Sequence, residues 1–181
     1  MNLYVMRHAD AGVPRENPVL DAKRALIKEG KQQCMLMAGV LAGLKAQIDV
    51  VIASPLKRAR QTAQLVATEM GIDQPILTSP GLAPDGDYAA FQQLLAEYSK
   101  YEGVLVVGHN PNLHQFITRL VSGNGNGHAQ GGGSIRLRKA GIARIDMSRH
   151  PAQLYWLIDP RLAKTIQASV TKSSRPKTSR K

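Results

Sequence analysis

The sequence GVLVVG at residues 103–108 is a short run made only of apolar residues and glycine. Such a strand is typical of a parallel sheet, because helices cover both faces of that kind of sheet. Strand-like stretches at residues 3–6 and 49–53 precede it. The segments between and after these strands have apolar positions that recur at helical spacing. This alternation predicts an α/β domain built on a mostly parallel central sheet.

The same periodicity predicts the other elements of the chain. Helices are expected near residues 29–44, 56–70 and 87–100, with a further helix that turns Leu113 and Leu120 inward, and a short strand is expected at 75–78. Strand-like stretches at 134–137, 142–147 and 154–158 suggest an antiparallel addition to the sheet, and a last helix starts near Pro160. The glycine-rich residues 124–133 are predicted to form a loop.

The length of 181 residues suits one domain, which we place at residues 1–170, followed by a basic tail at 171–181. Five of the 24 lysines and arginines lie in that tail. Without them the net charge falls from +11 to +6, with 19 basic against 13 acidic residues. The remaining charge would attract a phosphorylated or acidic partner. We interpret the tail as a solvated basic end rather than as a nucleic-acid-binding arm.

Several sequence features indicate the compartment. No stretch reaches the roughly 18 apolar residues that a membrane span requires. The apolar residues 3–6 are too few for a signal peptide, and no basic segment precedes them. The single cysteine, Cys34, cannot form an internal disulfide, and its apolar neighbours predict a buried thiol. We therefore expect a cytoplasmic protein without a membrane partner, and we take the protein to be a monomer.

Three predicted strands end in polar residues that suit an anion. Arg7 and His8 follow the first strand, SPLKRARQT (54–62) follows the second, and GHNPNL (108–113) ends the buried strand. Ligands of open parallel α/β sheets bind at the carboxyl ends of the strands. These side chains are therefore expected to meet at one rim of the sheet.

The second and third of these turns also predict where helices begin. Ser54 and Asn110 each precede a proline, which is typical of an N-cap residue followed by the first helical position. The free backbone N–H groups at such helix ends favour a bound phosphate. From a helix start at Ser54, Arg58 can reach the rim, whereas Arg60 points away from Arg58. We therefore select Arg58 as the site residue.

Imidazole and guanidinium groups at one rim suit phosphoryl transfer. Arg7 and Arg58 can bind the oxygens of a phosphoryl group from two turns of the chain. His8 can attack phosphorus if a backbone carbonyl holds its other ring nitrogen, because neutral imidazole is nucleophilic and neighbouring arginines disfavour its protonation. His109 can donate a hydrogen bond to a phosphoryl oxygen.

The motifs MRHAD, SPLKRARQT and GHNPNL, in this order, resemble those of the histidine phosphatase superfamily, and the short length matches its SixA-like phosphohistidine phosphatase branch. The resemblance covers most of residues 1–122, with weaker support from WLIDP (156–160). It implies a three-layer α/β/α sandwich of the phosphoglycerate mutase type. It also implies that His8 is the nucleophile that becomes phosphorylated and that Arg7, Arg58 and His109 form the phosphate pocket.

Two further positions are compared with this family. KRALIKEG (23–30) resembles a stretch of the SixA-like branch, which makes Arg24 a candidate substrate-binding residue. Ala9 stands where the superfamily most often has glycine, and similar branches tolerate alanine there.

The general acid is not assigned by the sequence. Larger relatives use a carboxylate to protonate an alcohol leaving group, and the candidates here are Asp10, Asp85 and Asp87, although Asp87 is better explained as an N-cap. A phosphorus–nitrogen bond to imidazole needs less acid catalysis. The predicted substrate, in agreement with the resemblance, is phosphohistidine on a phosphorelay or phosphotransfer protein.

No metal or other cofactor is expected, because His109 and His114 lack helical ligand spacing and no cysteine or carboxylate cluster joins them.

Two other interpretations of the sequence stay open. A broad-specificity phosphomonoesterase acting on small molecules would be favoured by Asp85 or Asp87 in the pocket. A non-catalytic module would use the same pocket to bind phosphate, or the basic tail to bind nucleic acid.

Overall fold

A computed structural model of the protein describes residues 1–123 and 135–173, with side chains up to residue 169. These residues contain the strands β1 Asn2–Arg7, β2 Val50–Ala53, β3 Leu77–Thr78, β4 Gly103–Gly108, β5 Ile142–Asp146 and β6 Gln153–Ile158. The strands form one sheet in the order β3-β2-β4-β1-β5-β6. The pairs between β3, β2, β4 and β1 are parallel, whereas β5 is antiparallel to β1 and to β6. The mostly parallel sheet with an antiparallel addition is therefore confirmed.

Six α-helices occur in the described part of the chain, and no helix there is long and apolar enough to cross a membrane. A short 3-10 helix covers Pro80–Leu82. The sequence predicts all of the α-helices except the first, which has five residues and begins after an Asn17 cap. The helices are α1 Pro18–Ala22, α2 Lys28–Gly43, α3 Lys57–Glu69, α4 Tyr88–Glu97, α5 Asn112–Ser122 and α6 Pro160–Ser173.

Two apolar cores lie on opposite faces of the sheet, because successive side chains of a strand point to opposite faces. Tyr4 and Met6 of β1 pack in one core with residues of α2, α3 and α6. Leu3 and Val5 of the same strand pack in the other core with residues of α4 and α5. β2 and β4 divide their side chains in the same way, and β4 is buried along its whole length. The predicted three-layer α/β/α sandwich is thus confirmed.

One predicted strand is wrong. Residues 135–137 are irregular, and Ser134 lies outside the described residues. The carbonyl oxygen of Leu137 accepts hydrogen bonds from the side chains of Arg7 and Asn110, so it is not used in a strand ladder. The predicted loop at 124–133 and residues 174–181 of the predicted tail also lie outside the described residues, while 171–173 belong to α6.

The two helices start later than predicted, α3 by two residues and α5 by one. α3 begins at Lys57 and α5 at Asn112, and neither has a side-chain cap. The hydroxyl of Ser54 lies 2.9 Å from Nε2 of His109, and the Asn110 amide donates to a backbone carbonyl across the carboxyl edge. These two side chains therefore connect separate segments at that edge instead of capping the helices.

The carboxyl ends of β1, β2 and β4 lie side by side. Arg7 of β1 is in register with Gly108 of β4, and Ala53 of β2 is in register with Val107. The backbone N–H of His8 continues the ladder by donating to Gly108 at 3.0 Å. The residues that follow these three strands consequently begin at one edge of the sheet.

Gly30 of α2 lies against the backbone of Asp10, two residues after His8. A Cβ at Gly30 would overlap the carbonyl oxygen of Asp10. That oxygen also accepts a hydrogen bond from the backbone N–H of Ile27 at 3.1 Å. The missing side chain therefore lets α2 approach the segment that follows β1.

We predict that Gly30→Ala lowers the free energy of unfolding by about 2 kcal/mol, because the Asp10 backbone must move to admit the methyl group. Gly39 lies in the same helix with open space around it, so Gly39→Ala is a matched control that should stabilise the protein by about 0.5–1 kcal/mol. Urea denaturation followed by circular dichroism measures both. Equal stability of the two variants would contradict the close contact between α2 and Asp10.

Candidate active site

The rings of His8 and His109 lie next to each other at the carboxyl edge of the sheet. Their centroids are 4.9 Å apart and their planes are inclined by 53°. Both residues are buried, with 7% and 3% of their surfaces exposed. His8 follows β1 and His109 follows β4, and these neighbouring parallel strands bring the two predicted site residues together.

A backbone hydrogen bond fixes the proton position in the His8 ring. Nδ1 of His8 lies 2.7 Å from the carbonyl oxygen of Ala9. A carbonyl oxygen can only accept, so Nδ1 carries the proton and donates it. In the neutral ring the free lone pair is then on Nε2. This is the carbonyl contact on which the sequence-based hypothesis of nucleophilic attack by His8 depends.

Burial keeps both rings neutral. Desolvation lowers the pKa of His8 to about 4; the Ala9 carbonyl opposes this shift, and the charges of Arg58 and Arg7 add to it. Desolvation also lowers the pKa of His109 to about 3, with smaller contributions from His8 and Arg58. Neither ring therefore carries a second proton at neutral pH, and the lone pair of His8 is available.

Ser54 connects the His109 ring to the beginning of α3. Its Oγ contacts Nε2 of His109 and accepts a hydrogen bond from the backbone N–H of Leu56 at 3.3 Å. With Leu56 as the donor on one side, the hydroxyl can donate to Nε2, which places the proton of the neutral ring on Nδ1. Nδ1 of His109 is buried and has no hydrogen-bond partner among the described residues. It can therefore act as a donor to a ligand oxygen.

Arg58 is the most buried guanidinium of the site, with 5% of the residue exposed. It lies in the first turn of α3, and its Nη1 donates to the backbone oxygen of Asp21 at 3.0 Å and to the carboxylate at 3.1 Å. Burial lowers the pKa of Arg58, and the Asp21 charge opposes that shift. Arg60 of the same helix is exposed. The structure thus buries Arg58 and leaves Arg60 exposed, and contact of Arg58 with substrate stays a prediction.

Asp21 links two arginines at the edge of the site. Its carboxylate contacts Nε of Arg24 at 2.8 Å and Nη1 of Arg58 at 3.1 Å. A hydrogen bond from the backbone N–H of Arg15, followed by the contact with Arg24, lowers the pKa of Asp21 to about 2. Asp21 is therefore ionised at neutral pH and attaches α1 to α3.

Arg24 acts electrostatically on both histidines, although its hydrogen bonds go to the backbone. Its Nη1 donates to the carbonyl oxygens of Ala11 and Gly12, both at 3.0 Å. Its positive charge contributes to the lowered pKa values of His8 and His109. In this structure Arg24 holds the segment after β1 in place, and a direct contact with substrate stays a prediction.

Arg7 ends β1 and supplies the second guanidinium of the predicted pocket. Its Nη1 donates to Leu137 at 3.3 Å, and burial lowers its pKa against the opposing charge of Asp10. Nε of Arg7, Nε of Arg58 and Nδ1 of His109 are all buried without a partner among the described residues. An unpaired buried donor costs about 1–3 kcal/mol, and a bound oxyanion can accept from such donors.

Thr62 of α3 fixes the backbone next to His8. Its Oγ1 accepts a hydrogen bond from the N–H of Ala9 at 3.0 Å and donates to the carbonyl of Arg58 at 2.7 Å. Ala9 itself is fully buried. The carbonyl that orients the His8 ring therefore belongs to a residue that is tied to the helix carrying Arg58.

The three candidate acids have different surroundings. Asp87 caps α4 by accepting a backbone hydrogen bond of 2.7 Å, which confirms its interpretation as an N-cap. Asp85 is exposed. Asp10 forms an ion pair of 2.8 Å with Lys139. Burial acts to raise the pKa of Asp10, but hydrogen bonds from Lys139 and Gly12 lower it overall. Asp10 is therefore ionised at neutral pH and has no proton to donate.

The roles of Asp21 and Ser54 in these contacts are not identified from the sequence. For Asp21, its position three residues before Arg24 could have indicated their ion pair, because side chains at that spacing can meet on a helical turn. Ser54 is predicted only as a helix cap. Its contact with His109 joins residues 55 positions apart, and no local pattern reveals it.

Comparison with known proteins identifies relatives of the chain. The family model for the histidine phosphatase superfamily (branch 1) matches residues 3–83. Phosphohistidine phosphatase SixA of Escherichia coli (strain K12) is 32% identical over 126 residues, which are 68% of this chain and 76% of that protein. An uncharacterized protein of Picosynechococcus sp. is 34% identical over 148 residues, which are 78% of this chain and 82% of the relative.

Solved structures agree with these matches. The structure of the protein histidine phosphatase SixA complexed with tungstate aligns with a TM-score of 0.74 and 27% sequence identity, over 89% of this chain and 98% of that chain. The phosphoglycerate mutase-like fold implied by the sequence motifs is thereby confirmed. With motifs, fold and sequence identity in agreement, the chain belongs to the histidine phosphatase superfamily, in the branch that contains SixA.

Proposed function

We propose that this phosphatase removes phosphate from phosphohistidine on a phosphorelay or phosphotransfer protein, through a phosphohistidine intermediate on His8. Membership of the superfamily and the similarity to SixA support a phosphatase. The observation that carries the mechanism is the contact between Nδ1 of His8 and the Ala9 carbonyl, because it leaves the Nε2 lone pair for attack.

The proposed reaction has two displacements at phosphorus. The lone pair on Nε2 of His8 forms a bond to phosphorus, and the bond from phosphorus to the substrate imidazole breaks. The departing nitrogen takes a proton from solvent and leaves as neutral imidazole. Water then attacks the phosphorus on His8, the bond to Nε2 breaks, and inorganic phosphate leaves while the water returns one proton to solvent. The ring of His8 is thereby restored.

The donors that we assign to the phosphoryl oxygens are Arg7, Arg58 and His109. Each has a buried nitrogen without a partner among the described residues, and each comes from a different strand end. Guanidinium groups and a fixed imidazole N–H stabilise the charge of a transferring phosphoryl group. SixA has been solved in complex with tungstate, an oxyanion related in shape to phosphate, which supports oxyanion binding by this fold.

The carboxylates near the site favour a nitrogen leaving group. Asp10 and Asp21 are both ion-paired, and their pKa values are lowered. Neither holds a proton at neutral pH that could be given to an alkoxide leaving group. A substrate imidazole needs no strong enzyme acid, because the nitrogen is readily protonated from solvent. These charges support phosphohistidine ahead of alkyl phosphates.

A phosphomonoesterase acting on small molecules is the second candidate. Asp10 lines the same pocket as Arg7, so a carboxylate is within the neighbourhood of a bound phosphate. Asp10 would serve as a general acid if substrate binding raised its pKa above the lowered value of the free protein.

We expect the protein to dephosphorylate a phosphohistidine protein with a kcat/KM at least about 100-fold above that for glycerol phosphate. Release of inorganic phosphate at neutral pH measures both reactions. His8→Ala should abolish turnover and the acid-labile phosphoryl label on the enzyme. His150→Ala is the matched control, because His150 is exposed, and it should retain both. A wide preference for glycerol phosphate would instead establish the second candidate.

Arg58→Ala should lower kcat/KM by about 100-fold or more, because a buried guanidinium on the phosphoryl group is lost. Arg60→Ala removes the same charge from an exposed position of the same helix and should change kcat/KM by less than about twofold. Arg58→Lys should recover little activity, since an ammonium group lacks the two-pronged geometry. Circular dichroism verifies that each variant is folded. Similar losses in the Arg58→Ala and Arg60→Ala variants would refute the assignment.

The lowered histidine pKa values predict how the site titrates. His8, with a pKa of about 4, should keep Nε2 unprotonated until the pH falls toward that value, and its proton should stay on Nδ1. Between about 4 and 6.5, unfolded histidine binds a proton that buried His8 does not, so stability should rise with pH in that window. Nitrogen-15 NMR of histidine-labelled protein measures the ring states. Titration of His8 near 6.5 would show that the ring is not buried as described.

A further inference from the structure

A groove of about 660 Å³ opens beside the candidate active site, and Arg7 and Asp10 form part of its wall. Most of the remaining wall comes from the segment before β5 and from the start of α6, with Gln33 of α2 and with Asn110 and His114 near the start of α5. Met6 pairs with Ile142 at the start of β5, and Ile142 pairs with Ile158 at the end of β6. Both wall segments therefore lie at the carboxyl edge of the sheet, and the groove is continuous with the site.

The groove carries a surplus of positive charge, since five cationic side chains line it against two carboxylates. Both carboxylates are already paired. Asp10 contacts Lys139 at 2.8 Å, and Asp159 contacts Arg138 at 3.2 Å. The five cations are Arg7, Arg136, Arg138, Lys139 and Arg161. We refer to this surface as the basic groove.

Arg136 and Arg161 are the two cations of the basic groove that best suit an acidic partner. Both residues are exposed, and neither forms an ion pair within the described residues. Ile135 is half-buried and adds apolar surface to the same groove, whereas Leu137 and Pro160 line it from buried positions. Guanidinium groups bind carboxylates through paired hydrogen bonds. The apolar stems of the arginine side chains and the apolar wall of the groove can pack against the methylene groups of acidic side chains.

We propose that the basic groove docks an acidic segment of the phosphoprotein while its phosphohistidine enters the site beside His8. The inference rests on the proposed function and adds the chemistry of the partner surface. Carboxylates of the partner pair with Arg136 and Arg161, and the excess of basic over acidic residues in the whole chain steers the same partner toward this edge. Docking of this kind raises kcat/KM for proteins with acidic neighbours of the phosphohistidine, without new chemistry at phosphorus.

The test uses two synthetic peptides that each carry one phosphohistidine, one flanked by glutamates and the other by glutamines at the same positions. At about 20 mM salt the protein should hydrolyse the glutamate peptide with a kcat/KM at least about fivefold higher, and the ratio should approach one at about 0.5 M salt. Arg136→Glu combined with Arg161→Glu should bring the ratio below one. The same double variant should leave kcat/KM for the glutamine peptide within about twofold, because neither arginine contacts phosphorus.

The matched control reverses two lysines at the other edge of the sheet. Lys45 and Lys100 are exposed and precede β2 and β4, so Lys45→Glu with Lys100→Glu makes the same change in net charge far from the groove. This variant should keep the preference for the glutamate peptide. A ratio near one in the unmodified protein, or equal loss of preference in both double variants, would overturn the docking proposal while leaving the proposed function intact.

A second measurement tests the basic groove even if the proposed function is wrong. If neither peptide is dephosphorylated, inhibition of p-nitrophenyl phosphate hydrolysis by the unphosphorylated peptides still tests the groove. The glutamate peptide should inhibit more strongly than the glutamine peptide, and the Arg136→Glu and Arg161→Glu changes together should remove the difference. If a single-stranded oligonucleotide inhibits more strongly than the glutamate peptide, the proposal of an acidic protein segment is wrong and the groove binds nucleic acid.

Discussion

The hydrogen bond from Nδ1 of His8 to the carbonyl of Ala9 determines what this site can do. It assigns the proton of the ring to one nitrogen, and burial prevents a second proton from binding the other at neutral pH. The side-chain oxygen of Thr62 accepts the N–H of Ala9, so the residue that supplies the orienting carbonyl is tied to α3. The proposed mechanism depends on this local geometry, because a reversed ring would present a protonated nitrogen to phosphorus.

The charges around that ring have two consequences. Arg7 and Arg58 help to keep His8 neutral, and the same guanidinium groups are suited to bind the phosphoryl oxygens. Asp21 in turn opposes the loss of charge that burial imposes on Arg58. A buried cation without such a partner would be costly. One carboxylate on a short helix therefore supports a cationic pocket, although that carboxylate is ionised and does not serve as an acid.

The sequence predicts those parts of the molecule whose signals are local. The continuous apolar run of β4 and the helical spacing of α2 to α5 predict the layered sheet, and the order of the three motifs predicts which residues meet at its edge. Contacts between distant segments are missed. The Ser54 hydroxyl binds His109, the Leu137 carbonyl binds side chains in place of a strand partner, and Asp21 reaches α3 from a helix too short to show periodicity.

The most direct test of the central claim is a crystal structure of the protein with tungstate, located by anomalous scattering. We expect the oxyanion next to Nε2 of His8, with its oxygens about 3 Å from the guanidinium groups of Arg7 and Arg58 and from Nδ1 of His109. The bond between Nδ1 of His8 and the Ala9 carbonyl should be unchanged. Tungstate bound away from His8, or a His8 ring turned off that carbonyl, would contradict the claim.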